Sequence, residues 1–349
     1  MKALTVDAQG LLSLQELPIP SYGACQALVK MRSCGVCSGT DMKLIHHTFK
    51  NFDTYPAILG HEGVGEVVGI GEKVENLRRG DLVLLPFLEG KIGEYTPGWG
   101  AYSEYALVGD AEAYIRCGMG PGTKQWSEGY LAQTVLGPED RVNPVEAAMI
   151  VTFREVLSAI RRFGFQPNQN IVVLGAGPVG LCFTRFLKLL GIKTVITTDI
   201  LDEKVETALE MGADYAFNSA KCDIIHEVRT LFPDGVDAVV DAVGVNALLN
   251  QAMQMMCSHG KICGYGISPK LSVNLDWSNA PYNWSLHFIQ WPSKAEEAQA
   301  HAQIMAWINM KVLNPMDFIS DVIPFSRITD AFTLIEQHLP STKKIVIEF

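Results

Sequence analysis

Hydrophobic and polar positions change their rhythm twice along the chain. The first third carries short apolar runs, "KALTV", "QALVKMRS", "GVGEVVGIG", "DLVLLPF" and "YSEYALV", punctuated by glycine and proline. That texture predicts an irregular, barrel-like β unit. Near Val145 the period lengthens. "PVEAAMIVTFREVLSAIRRFG" repeats apolar residues at helical spacing and stops at Gly164, a helix with a C-terminal glycine. Strand and helix patterns then alternate through "NIVVLGAGPVGLCFTRFLKLLGI", "TVITTDI", "DEKVETALEMG", "VDAVVDAVG" and "GKICGYGI". Such alternation predicts a doubly wound parallel sheet. In "SKAEEAQAHAQIMAWINM", Ser293 and Glu296 form a capping box, and Ala298, Ala302, Met305 and Ile308 are expected to make the apolar stripe. The chain closes on a strand, "KKIVIEF". Residues 113–138 are glycine-rich and fit no period, which predicts a long surface excursion.

Composition narrows the classes. The 349 residues are 48% hydrophobic and 19% charged, enough apolar material for two cores. A net charge of -10 argues against nucleic acid or an anionic membrane as partner. The apolar stretch from Ile171 to Ile192 is broken by Arg185 and Lys188, so no membrane span is expected. Eight scattered cysteines and no apolar leader point to a reducing cytoplasm.

Two constellations carry chemistry. Gly175-Ala176-Gly177-Pro178-Val179-Gly180 follows a strand, opens a helix and is answered by Asp199 at the end of the next strand. Gly175 permits the turn, Gly177 lets the backbone approach a pyrophosphate, and Gly180 lets helix and strand pack closely. The helix N-terminus favours the anion, and Asp199 suits ribose hydroxyls while repelling a 2′-phosphate. No arginine lies within four residues after it, which favours NAD over NADP. The second constellation is "CGVCSGTD" with Gly60-His61-Glu62. A C-x-x-C pair serves as a redox couple, as half of a structural zinc site, or as one metal-binding cysteine with a bystander. Cysteine, histidine and glutamate are all zinc ligands, and a catalytic zinc wants three of them and an open position.

With its "YPAILGHE", "RRGDLV", "GAGPVG", "EMGADYAFN" and "GVDAVVDAVG" segments in order, and Gly60, His61, Glu62, Gly65, Gly71 and Val74 spaced as in the family signature, the sequence resembles the zinc-containing medium-chain alcohol dehydrogenases, more closely their sorbitol and threonine dehydrogenase-like branch. The resemblance spans nearly the whole chain. It implies an α/β protein with a GroES-like, partly open β-barrel catalytic domain (1–148 and 293–349) and a Rossmann dinucleotide domain (149–292). It implies hydride transfer from a secondary alcohol, of polyol or sugar-like kind, to NAD, with homodimers or homotetramers formed through strands such as "KICGYGI" or "WSLHFIQ".

Residue by residue, the resemblance implies Cys37 and His61 as zinc ligands, Glu62 as a third ligand completed by water, and Cys34 as a small buried residue. Pro178, Val179, Asp199 and Lys204 fall at nucleotide positions, and Val243, Gly264, Tyr265 and Gly266 line the nicotinamide pocket. Three departures stand out. Val151 occupies a position where relatives carry a further ligand, so water, or Glu155 one turn on, would replace it. One residue is added between Cys37 and Asp41, so Thr40 would carry the proton-relay hydroxyl through a local bulge at Gly39, with Ser38 as the alternative. Lys43 stands where relatives place a relay histidine, while His46 and His47 read as surface residues. Between Asp81 and Ala113 there is no cysteine and Cys117 stands alone, so one catalytic zinc and no structural zinc is expected. Trp126 or Tyr130 would line the cleft. Arg154 would meet an anionic substrate or pair with a neighbouring acid.

Overall fold

The computed structural model describes residues 1–349, the side chain of residue 138 excepted. The chain divides into two compact units, Met1–Arg154 with Ser293–Phe349, and Glu155–Pro292. The first division falls inside the continuous helix Pro144–Phe163 rather than in a linker.

In the first unit a seven-stranded sheet is centred on the long strand Gln26–Gly35. Strand Glu62–Ile70 pairs with it antiparallel, setting Gly35 opposite Glu62. On its other side the C-terminal strand Lys344–Glu348 sets Val346 opposite Gly35. Glu62 and Val346, from opposite ends of the chain, are thus brought to either side of one glycine. A four-stranded sheet, with Lys2–Val6 next to Leu12–Glu16 and to Ala57–Ile58, packs over a core that includes Leu4, Ile58, Leu44, Val67 and Ile347. Alternating small and β-branched residues in "GVGEVVGI" suit this strand-rich packing.

The second unit is a six-stranded sheet, parallel throughout. Its order is Tyr215–Asn218, Thr194–Asp199, Asn170–Leu174, Val236–Asp241, Met256–Gly264, Trp284–Phe288. Counted from Asn170–Leu174, that order is 3-2-1-4-5-6, the doubly wound arrangement whose chain reversal lies between Asn170–Leu174 and Val236–Asp241. Its central strands are almost wholly buried, as their continuous apolar runs require.

Three expectations need correction. The helix Lys294–Asn309 does carry the Ser293–Glu296 capping box, and Met305 of the expected stripe is buried, but Ala302 is exposed, and the buried face runs through Glu297, Ala300, Ile304, Met305 and Trp307. Alanines stand on both faces of this helix, so apolar counting alone does not select one. Residues 113–138 are not structureless. They take up the end of helix Ala111–Arg116, a 3-10 turn at Glu128–Leu131 and strand Thr134–Leu136. A small core of Cys25, Ala113, Tyr114 and Tyr130, flanked by Phe87 and Trp126, holds them. Finally, Met256–Gly264, which holds most of "KICGYGI", lies one strand inside the sheet, and only Trp284–Phe288 presents an edge on that side.

Candidate functional site

Cys37 is the N-cap of helix Ser38–Ile45, extended in backbone, and its sulfur makes no capping bond to the helix. The residue added between Cys37 and Asp41 enters the first helical turn. Thr40 and Asp41 both donate their N–H to the Cys37 carbonyl, at 3.1 and 2.8 Å, so the bulge expected at Gly39 is absent and Gly39 lies within regular helix. Ser38 and Gly39 face outward while Thr40 and Asp41 are buried. Helical phase thus turns Thr40, not Ser38, toward the interior.

The donor atoms of Cys37, His61 and Glu62 lie within 4.8 Å of one another. Zinc at about 2.0–2.3 Å from each donor would want them about 3.3–3.8 Å apart, so the donors need close by no more than about 1.5 Å to hold it. Behind His61 stands Asp41. Its Oδ1 lies 3.5 Å from His61 Nδ1, and its Oδ2 accepts from the Cys37 N–H at 3.0 Å and the Tyr102 hydroxyl at 2.6 Å. Asp41 Oδ1 has no hydrogen-bond partner among the described residues. A carboxylate at Nδ1 directs the other ring nitrogen outward, the arrangement that orients a metal-binding histidine. Burial alone would disfavour the His61 imidazolium; the Asp41 carboxylate and the Cys37 sulfur outweigh it and hold its pKa well above the ordinary value. The pocket therefore attracts positive charge, and these residues fit a cation.

Glu62 brings a partner that motif spacing does not reveal. Lys344 Nζ donates to both Glu62 oxygens, at 2.8 and 2.6 Å, and both side chains are buried. Gly35 makes room for this pair, because a Cβ there would collide with Glu62 Oε2. Trp99 is also new. Its ring centroid is 5.4 Å from that of His61, and its φ of 66° places a bulky residue in the left-handed region. Such strain persists where surrounding contacts enforce it, and it gathers at functional sites.

Other expected participants fall elsewhere. Cys34 is fully buried, with its thiol pKa pushed well up by burial and then by Asp41 and Glu62. Lys43 is half-buried, not solvated. Its ammonium donates to the Gly39 carbonyl at 2.6 Å, and desolvation lowers its pKa. His46 and His47 are exposed. Val151 is fully buried. Arg154 is fully buried and clamps the Ala132 carbonyl, the Thr134 hydroxyl and the Glu297 carbonyl at 2.7, 3.2 and 3.1 Å. Tyr130 is buried against Glu89 and Tyr114, and half-buried Trp126 packs edge-on to it, so both belong to the small core. Cys117 does not stand alone: Cys25 Sγ lies 3.7 Å away.

In the second unit, Gly175 has φ +96°, and a Cβ on it would meet Val243 across the point of chain reversal. A Cβ on Gly180 would strike the Gly175 carbonyl, whereas Gly177, the N-cap of helix Pro178–Leu189, has open space around that position. The open approach is at Gly177, flanked by half-buried Pro178 and Val179. Asp199 Oδ2 accepts from the Ala176 N–H at 2.8 Å and Oδ1 from the Leu201 N–H at 3.2 Å, which binds the acid to the glycine turn. Lys204 is half-buried on the following helix. Asp241 organises the far side of the reversal. Its carboxylate accepts from Val243 and Gly244, and its carbonyl from Tyr265 and Gly266. Gly264 packs under the Phe288 ring.

Known proteins share both parts. Residues 23–147 match the alcohol dehydrogenase GroES-like domain and residues 178–290 the zinc-binding dehydrogenase domain. An alcohol dehydrogenase of Cupriavidus necator is 30% identical over 296 residues, covering 79% of each chain. The chain belongs to the zinc-type medium-chain alcohol dehydrogenase family. A sorbitol dehydrogenase of Bacillus subtilis is 28% identical over 289 residues, 81% of this chain and 78% of that one. The fold is shared in full with a benzyl alcohol dehydrogenase from Acinetobacter calcoaceticus, with a TM-score of 0.81 at 19% identity over 100% of this chain and 99% of the other. As a medium-chain dehydrogenase the protein is an oxidoreductase, and no described helix is long and apolar enough to cross a membrane.

Proposed function

We propose that this protein oxidises a secondary alcohol of polyol or sugar-like kind, using NAD⁺ and one zinc ion held by Cys37, His61 and Glu62. The convergence of those three donors, with Asp41 behind His61, carries the reading. Relatives named sorbitol dehydrogenase and NAD-dependent alcohol dehydrogenase support the substrate class and the cofactor. Bound zinc would lower the pKa of the alcohol oxygen, and bound NAD⁺ would take the hydride. The chain's own groups do the rest. Asp41 fixes the His61 ring. Thr40, buried one turn into the helix, supplies the hydroxyl that takes up the alcohol proton. Asp199 meets the ribose hydroxyls and disfavours a 2′-phosphate, the backbone at Gly177 and the N-terminus of helix Pro178–Leu189 take the pyrophosphate, Lys204 lies near the adenine ribose, and Val243 with Gly264, Tyr265 and Gly266 contacts the nicotinamide half.

The test is metal analysis of the purified protein together with NADH formation across a panel of polyols and amino alcohols. One zinc per chain is expected, with activity lost in His61→Ala and kept in Cys34→Ala. Full activity in His61→Ala refutes the reading. Tight NAD binding with no metal and no turnover would instead mark a non-catalytic relative in which Lys344 is the permanent partner of Glu62.

The assembly we propose is a homodimer or homotetramer. Trp284–Phe288 is an edge strand, and Leu271, Trp277, Tyr282 and Phe288 are exposed. A monomer by light scattering at working concentration refutes it. Eight free thiols suit the reducing cytoplasm we assign to it.

A further inference from the structure

Cys25 and Cys117 are 92 positions apart; Cys25 belongs to the small core that holds the 113–138 excursion, and Cys117 lies at that excursion's exposed start. Cys25 is buried just before strand Gln26–Gly35, while Cys117 is exposed at the C-cap of helix Ala111–Arg116. Their sulfurs are 3.7 Å apart, in van der Waals contact. The surrounding contacts hold them there. The Asp110 N–H donates to the Cys25 carbonyl at 2.9 Å, and Asp110 caps the helix that ends at Cys117. The Tyr114 and Tyr130 rings stack at 4.6 Å, and Tyr130 is bonded to Glu89, which Gln26 also holds at 2.8 Å. A disulfide needs the sulfurs closer, about 2.0 Å apart. Gly118, next to Cys117, has φ +72° and open space around its Cβ direction, so no packed side chain of that residue opposes the shift that closure needs.

We propose that Cys25 and Cys117 form a thiol modification site, closed to a disulfide by a low-molecular-weight disulfide such as oxidised glutathione, and that closure locks the excursion to the barrel. The exposed partner reacts first. The Cys117 thiolate attacks one sulfur of glutathione disulfide, whose S–S bond breaks and releases one glutathione thiolate. Cys25 then gives its proton to solvent and attacks Cys117 Sγ. The mixed S–S bond breaks and the second glutathione leaves. Two protein thiols are oxidised to one disulfide and one glutathione disulfide is reduced to two thiols. The order follows from accessibility and from chemistry, since burial and then the Cys117 contact push the Cys25 thiol up to about 11, which makes it the slower, resolving partner.

The full chain, reduced and freed of reductant, is incubated with oxidised glutathione, quenched with acid and alkylator, and mapped by peptide mass spectrometry. A peptide pair joined through Cys25 and Cys117, lighter by two hydrogens, becomes the dominant form of these residues, and the thermal midpoint rises by about 5 °C. Cys117→Ser, a change at an exposed position, removes both effects and leaves Cys25 reduced. Half-buried Cys222, whose sulfur donates to the Asn218 carbonyl, stays alkylated or stops at a glutathione adduct. A glutathione adduct persisting on Cys117, a Cys117–Cys117 bond between two chains, or an unchanged midpoint overturns the proposal.

Discussion

Replacing Lys344 by methionine keeps the length of the side chain and removes its charge. The Glu62 carboxylate then loses two short hydrogen bonds at 1% exposure. Breaking one side of a buried ion pair costs about 3–5 kcal/mol, because the remaining charge is left without solvent or partner. For a unit of this size that corresponds to a fall of about 6–20 °C in thermal midpoint. Changing both residues, Lys344→Met with Glu62→Gln, removes the stranded charge and should return the loss to about 1–2 kcal/mol. Metal state supplies the decisive arm. In zinc-stripped protein the single variant shows the full loss. In zinc-loaded protein the cation drawn by Cys37, His61 and Glu62 takes over the neutralisation, and most of the loss disappears. The assay is urea or thermal unfolding of wild type, single and double variants, each with and without zinc. Equal losses in both metal states would mean that Glu62 never serves the metal. A single variant as stable as wild type would mean that the pair does not neutralise Glu62 at all.

Other variants test other parts of the molecule. Thr40→Val should lower kcat about 100-fold with little change in KM, read from NADH formation, if its hydroxyl moves the proton. Asp199→Ala should weaken NAD about 10–100-fold while sparing NADP, measured by calorimetric titration of both nucleotides. Gly180→Ala, which drives a Cβ into the Gly175 carbonyl, should cost about 1–3 kcal/mol and abolish nucleotide binding, as unfolding and titration would report. His301 is held down to about 4 by burial and then by Arg154. A histidine whose folded pKa lies below the unfolded value of about 6.5 contributes stability that is complete above that value and fades as pH falls toward 4. After allowance for its partial exposure the contribution is about 1–2 kcal/mol, and His301→Leu should flatten unfolding curves measured between those limits.

Short-range chemistry was legible in the sequence. The glycine turn followed by an acid, and the C-x-x-C with its downstream Gly-His-Glu, are local spacings whose geometry follows from a strand, a turn and a helix start. That Thr40 and not Ser38 turns inward follows from helical phase and not from the expected bulge. The missed features share one cause: each is made by residues far apart in the chain. Lys344 reaches Glu62 only because the last strand lies beside Gln26–Gly35, and Cys117 finds Cys25 only because the excursion has a core of its own. Arg154 looked like a substrate or salt-bridge residue because charge usually seeks charge; fully buried on helix Pro144–Phe163, it also holds two backbone carbonyls that no spacing announces. The alanines of Lys294–Asn309 offer too little contrast between faces for the eye to choose the buried one.

The first unit is written in two pieces with the second unit between them. During synthesis the sheet unit is contiguous and has all its strands before the barrel receives the segment from Ser293 onward. Its contacts are local by comparison, so the inserted unit can complete its sheet while the barrel still lacks its closing strand. Until that strand docks, Glu62 faces Gly35 without its lysine. A nascent chain therefore presents an anionic pocket that is quenched only on completion, and a lesion in the last strand would act as a defect in the cation site as much as in the barrel.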